Sequence, residues 1–187
     1  MKKKILGLMW GVAVVAQLGV VASMINTQET ILREGMTYRF RTAPVDPYDA
    51  FRGRYVAIAL EPRTVLWPEG EATLKAKETF YVTLSTNADG YAVLTGASTA
   101  RPAEGDYLRV KRGWRAASNQ VGVVYGVDRY YLPENEAPRA EQLYREHSRR
   151  GQQEAFVVLK VRKGESVAED LVVGDRSIRA WLKDAPE

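Results

Sequence analysis

From Ile5 to Ile25 the chain runs for 21 residues without a charge, and only Gln17 and Ser23 interrupt its apolar character. A helix rises about 1.5 Å per residue, so this stretch extends roughly 30 Å, the thickness of a bilayer core. No polar face breaks it over successive turns, which argues against a buried helix of a soluble domain. The residues Lys2, Lys3 and Lys4 precede it, and lysines beside a first apolar segment stay on the cytoplasmic side. The expected topology is therefore a single crossing of an inner membrane, with the C-terminal part outside it. A cleaved signal peptide is the competing reading, with Val20-Val21-Ala22 ahead of Ser23 as the processing site. The apolar run exceeds the usual length of a signal core and continues through Met24 and Ile25, which favours an uncleaved anchor.

What remains outside that segment is of a size for one domain. The expected organisation is 1–35 for the anchor and a short polar extension, ending at Gly35, and 36–187 for an extracytoplasmic β-rich domain. With the three N-terminal lysines set aside, 24 basic residues face 23 acidic ones, a balance that gives no nucleic-acid footprint. The absence of Cys and the presence of a single His remove disulfides, thiolate sites and histidine clusters.

Short runs rich in Val, Thr, Tyr and Leu follow one another from Met36 onward. Strands are expected over 36–41, 55–60, 79–85, 91–95, 107–111, 121–125, 156–161, 171–173 and 178–181, which makes eight or nine strands of a barrel or sandwich. Tyr38 and Phe40 alternate with Arg39 and Arg41, as on a strand with one buried face. Asn87-Ala88-Asp89-Gly90 reads as a hairpin turn, and the continuous run Val157–Val161 as a central strand. One helix interrupts the pattern over 138–150, where Ala140, Leu143, Tyr144 and His147 share a face.

Two segments repeat a glycine, any residue, tyrosine and then a strand: Gly53-Arg54-Tyr55 and Gly105-Asp106-Tyr107, 52 residues apart. A turn glycine before a β-forming tyrosine explains both, and an internal duplication is the alternative. Pro44-Val45-Asp46-Pro47 stands before the first, a stiff stretch in which Asp46 can bond nearby amides. Together with the basic N-terminus, the anchor and Tyr125-Gly126-Val127-Asp128-Arg129-Tyr130-Tyr131-Leu132-Pro133-Glu134, this chain resembles the bacterial GDYXXLXY family. The signature is altered here: Arg54, Ile58 and Leu60 stand for its Asp, Leu and last Tyr, while Gly53 and Tyr55 are kept. Asp106 restores the Gly-Asp-Tyr triplet in the second unit. The resemblance implies a membrane-anchored envelope protein of the bacterial inner membrane, crossing it once with its C-terminal domain in the periplasm or outside the cell, and working beside a polytopic membrane protein. It supplies no established activity and no catalytic residues to carry over.

The recognition chemistry in the sequence gathers at Asp46, Arg54, Tyr55, Asp106, Tyr107, Arg129, Tyr130, Tyr131 and Glu134. An arginine fork with phenols clamps a carboxylate, phosphate or sugar, and prolines and glycines fix the backbone around it. The plainer reading has Arg129 paired to Asp128, Glu134 or Asp46 and the tyrosines packed as half-buried strand residues. No catalytic set stands out. His147 lies among Arg145, Arg149 and Arg150, whose field disfavours the imidazolium that a general base must become. Ser85, Ser98, Ser118, Ser166 and Ser177 lack a nucleophile context, and no ordered ligand spacing suggests a metal. The expectation is a non-enzymatic binding or assembly subunit of an inner-membrane complex, without cofactor, metal or nucleic acid and with any small-molecule ligand left open. An envelope hydrolase using serine or carboxylate chemistry is the alternative.

Overall fold

A computed structural model describes residues 2–43, 55–69, 74–117, 119–147 and 155–184. The apolar run forms a single helix, α1 (Lys2–Glu34), that carries the polar residues 26–34 as further turns. Between Met9 and Glu34 it is long and apolar enough to cross a membrane. Its last turn docks on the domain, where Ile31 is buried. The Gly35 amide donates to the Ile31 carbonyl at 2.9 Å, and the chain turns at once into a strand. A side chain is not tolerated at residue 35, because a Cβ there would stand 2.4 Å from the Ile31 oxygen. The glycine stop expected from the sequence is thus enforced by close backbone approach.

Strand β1 (Met36–Ala43) pairs antiparallel with β10 (Ala155–Arg162), which pairs in turn with β11 (Glu165–Val173) and, beyond it, β12 (Arg176–Ser177). On the other edge β1 meets β3 (Ala59–Leu60), completing a five-stranded sheet in which β10 is central. Along β10 the residues Ala155, Val157, Leu159 and Val161 are buried while their neighbours are half-exposed. That is the period of two expected of a strand with one face on a core. A bulge opposite Val158 and Leu159 leaves Glu169 of β11 without a ladder partner.

The second sheet runs in the order β4 (Thr64–Leu66), β8 (Gln120–Val124), β7 (Tyr107–Ala117), β5 (Thr79–Thr86) and β6 (Ala92–Ser98). Phe80, Val82 and Leu84 of β5 point inward with Leu108 and Val110 of β7, and they share one core with Phe40, Val157 and Leu171 of the first sheet. Two isolated bridges, Arg39 with Tyr91 and Leu108 with Gly164, join the sheets at their margins. A separate ribbon pairs β2 (Tyr55–Ala57) with β9 (Arg129–Tyr131). Helix α2 (Ala137–His147) packs beside it, burying Ala140 and Tyr144.

The expected β-rich fold with an amphipathic helix and a preceding apolar helix is the fold observed. Three details differ. Twelve strands are present among the described residues rather than eight or nine. The run 55–60 is divided at Ile58, whose amide donates to Asp128, so β2 and β3 join different sheets. The segment read as a strand at 178–181 is a short helix, α3 (Ile178–Lys183). There Ile178, Trp181 and Leu182 fall at helical spacing, and the Trp181 indole donates to the Val173 carbonyl at 3.0 Å. Residues 148–150 of the expected longer α2 lie outside the described residues.

The 87–90 hairpin forms as read: Gly90 has φ +82°, and Asn87 Oδ1 accepts the amides of Asp89 and Tyr91. Gly164 has φ +88° as well, but there a Cβ would come within 2.8 Å of the Tyr107 ring, whereas at Gly90 it would meet open space. Gly90→Ala is expected to cost about 1–2 kcal/mol from the left-handed backbone alone. Gly164→Ala adds a steric clash and should cost more. Phe40→Ala, at a position fully buried in the core, should cost about 3–5 kcal/mol. Denaturant unfolding of the three variants in mild detergent checks this ranking.

Candidate functional site

The ribbon of β2 and β9 sets Tyr55 directly opposite Tyr131, Val56 opposite Tyr130, and Ala57 opposite Arg129. Because side chains alternate, Tyr55, Arg129 and Tyr131 share one face and Val56 and Tyr130 the other. The second face is core: Val56 and Tyr130 are both buried. The first is surface, with Tyr131 63% exposed. On it the Tyr55 and Tyr131 rings meet edge to face at 5.8 Å between centroids, and the Arg129 guanidinium lies 4.9 Å from the Tyr55 centroid. A hydrogen bond with Tyr131, and then the Asp128 carboxylate, keep the guanidinium above its already high pKa. Asp128 stands 3.7 Å away. The product is a surface plate of two phenols and a charged fork, with Tyr131 exposed and Tyr55 and Arg129 half-buried.

Tyr130 belongs to a different set. Its hydroxyl donates to Asp170 Oδ1 at 3.4 Å, and that oxygen also accepts the Ser177 hydroxyl and the Leu171 amide at 2.9 Å each. Arg179 lies over its ring. Burial pushes the Tyr130 phenol up to about 12, with Arg179 pulling the other way. This cluster fastens β9, β11 and α3 together, and Ser177, one of the nominal nucleophiles, is spent within it.

Tyr107 begins β7, and Asp106 directly precedes it. Asp106 accepts the Tyr38 hydroxyl at 2.8 Å, which ties β7 to β1. Tyr38 is pushed up to about 12 by desolvation and then by its hydrogen bond to Asp106. Asp106 and Tyr107 line a groove beside the end of α1, and none of Tyr55, Arg129, Tyr130, Tyr131 or Glu134 lines it. Glu134 sits in the turn that leads into α2, where Pro133 accepts the amides of Glu136 and Ala137. Asp46 and Arg54 lie outside the described residues, as do Ser118 and the side chain of His147. The nine residues are therefore distributed: Tyr55, Arg129 and Tyr131 together, Tyr130 beneath them, Asp106 and Tyr107 in another groove. Asp170 and Arg179 carry no local signal in the sequence, and Tyr38 shows there only as an alternating strand residue. Among the described residues no group of three His, Asp or Glu side chains is arranged to hold a metal.

A family model described as GDYXXLXY protein matches residues 17–171. The chain belongs to the GDYXXLXY family. No curated protein and no solved structure gives a match. In this family member the matched span takes in the second half of the apolar helix, the β2–β9 ribbon, the second sheet and the first sheet as far as Leu171 in β11, with β12 beyond it.

The raised phenols carry a sign. Tyr38 and Tyr130 have folded values above the unfolded 10.0, so their share of stability is intact below pH 10 and is lost as pH rises toward 12. The thermal midpoint should fall over that window. Tyr130→Phe, which has no phenol to ionise at this buried position, should flatten the fall when midpoints are measured across it.

Proposed function

We propose that this protein is a membrane-anchored, non-catalytic binding or assembly subunit, fixed by α1 in the inner membrane with its β domain in the periplasm, and that it works against a polytopic membrane protein. The observation that carries the reading is the junction at Gly35. An apolar helix of membrane-spanning length passes into β1 with no flexible linker, so the domain is held at a set height beside whatever shares the bilayer. A tethered enzyme acting on diffusing substrates gains nothing from that stiffness, whereas a subunit that must meet a neighbour in one orientation does.

The surface proposed for that meeting is the plate of Tyr55, Arg129 and Tyr131. Tyrosine and arginine are enriched where interfaces gain their energy, because they offer large contact area and directional bonds at low conformational cost. Arg129 is pre-positioned by Tyr55 and Tyr131, and an acidic group on the partner complements it. Asp106 and Glu134 stand in surroundings of their own, apart from this plate.

Purification of the full chain in mild detergent should recover a co-purifying integral membrane protein. Arg129→Ala should reduce that recovery severalfold and leave the thermal midpoint nearly unchanged, since the side chain is on the surface. Recovery of a lone chain, or labelling of Ser85, Ser98 or Ser166 by a serine-reactive probe, would overturn the assembly reading. Topology is tested separately: a C-terminal alkaline phosphatase fusion should be active, and a fluorescent cytoplasmic reporter dark. N-terminal sequencing that begins at Ser23 would replace the anchor with a processed leader.

A further inference from the structure

Two turns stand next to the end of α1. One is Lys163-Gly164, between β10 and β11, with both residues in the left-handed region at φ 52° and 88°. The other precedes β7 and ends in Gly105, φ 77°. Gly164 also meets β7 directly, accepting the Arg109 amide at 2.8 Å. Between these turns and the last turn of the helix lies a groove of about 570 Å³.

Charge in this groove is unevenly committed. Its two carboxylates are engaged: Glu34 by Arg162 at 2.8 Å, and Asp106 by the Tyr38 hydroxyl. Arg101 and Lys163 are both exposed on its rim, with the Arg101 guanidinium 5.5 Å from the Tyr107 ring centroid. Tyr107 is only 7% exposed, packed edge to face on Tyr81. Its hydroxyl is buried and has no hydrogen-bond partner among the described residues. A buried phenol is ordinarily satisfied. Here an unsatisfied phenol lies beneath the Arg101 guanidinium with Lys163 on the same rim; the two cations offer only N–H donors, and the phenol has an O–H still to give.

We propose that this groove binds the phosphate of an anionic phospholipid drawn from the leaflet around α1, with Arg101 and Lys163 neutralising its charge and the Tyr107 hydroxyl donating to an oxygen. A phosphodiester is acceptor-only and anionic, the complement of that donor set. Position favours a lipid as its carrier, given the reading of α1 as a membrane span. The apolar run ends at Ile25, and Glu34 follows nine residues later, roughly 13 Å further along the helix. The headgroup layer occupies about 5–8 Å of that distance. The groove thus opens about 5–8 Å beyond the headgroup layer, so a lipid phosphate meets Tyr107 by rising from that layer toward the long basic side chains on the rim. Met36, 58% exposed on its rim, adds apolar surface for the glycerol end of a lipid. A zwitterionic lipid brings its own cation against Arg101 and Lys163 and should bind less well.

The test uses the full chain in a nonionic detergent, titrated with phosphatidylglycerol, phosphatidylcholine or inorganic phosphate and read by native mass spectrometry. Wild type should retain phosphatidylglycerol about tenfold better than phosphatidylcholine. The double variant Arg101→Gln/Lys163→Asn, whose asparagine suits the left-handed turn, should lose that preference. Tyr107→Phe should lose about two- to tenfold, the worth of one hydrogen bond, with its thermal midpoint preserved. Retention indifferent to all these substitutions would overturn the groove, since it would reflect lipid around α1 alone. Inorganic phosphate held as well as phosphatidylglycerol would support the phosphate site and overturn the lipid as its source. Failure of the anchor reading is distinguishable, because the chain would then be released from membranes by a high-salt and urea wash.

Discussion

Strand β1 leaves the apolar helix after one residue and pairs with β10 from Met36 opposite Val161 to Arg41 opposite Phe156. This ladder joins the beginning of the domain to its last third, and much else is built upon it. It places the β10–β11 turn against the helix end, where Arg162 engages Glu34. It also sets Phe40 and Val157 on one face, from which the core continues to Phe80 and Leu108 of the second sheet. Loop closure over so long a separation is entropically costly, and the buried ladder and core contacts are what offset it.

Arginine has a recurring task on the outer faces. Arg39, Arg41, Arg63, Arg101, Arg129, Arg176 and Arg179 each lie over an aromatic ring. The near balance of charge thus conceals a specific deployment: guanidinium groups cover aromatic surface that would otherwise face water, while remaining solvated at one face. Ion pairs add less. Arg109 and Glu165 approach to 2.5 Å with both side chains about half exposed, and pairs of that kind contribute about 0–1 kcal/mol. The stacked arginines serve more to hold side chains in place than to stabilise the fold, which suits the plate at Tyr55 and Tyr131.

Local chemistry made much of this architecture legible. The helix, its stop at Gly35, the Asn87–Gly90 turn and the alternation in β1 and β10 all follow from periodicity and turn residues acting within a few positions. The failures lie where the deciding contact is distant or the segment is short. Residues 178–183 contain apolar side chains at helical spacing over less than two turns, too few for the period to be distinguished from a strand; burial of Ile178 and the bond from Trp181 to Val173 decide it. Arg129 to Tyr131 read as a cluster of recognition groups, and only the register with β2 shows that alternate members face opposite ways. Tyr130 is then core, and Arg129 and Tyr131 are surface. The groove at Tyr107 was less legible still, because Arg101, Tyr107 and Lys163 meet through the pairing of separate hairpins.

The absence of a linker at Gly35 gives the domain an azimuth as well as a height. A helix turns about 100° per residue, so the direction in which Tyr55, Arg129 and Tyr131 face about the helix axis is written in the number of residues between the apolar run and β1. One residue inserted between Asn26 and Ile31 would lift the domain by only about 1.5 Å yet swing it through more than a quarter turn. Seven residues would nearly restore the original heading at a greater height. The stalk therefore behaves as a phase-setting element, and its length is constrained by angle far more tightly than by distance.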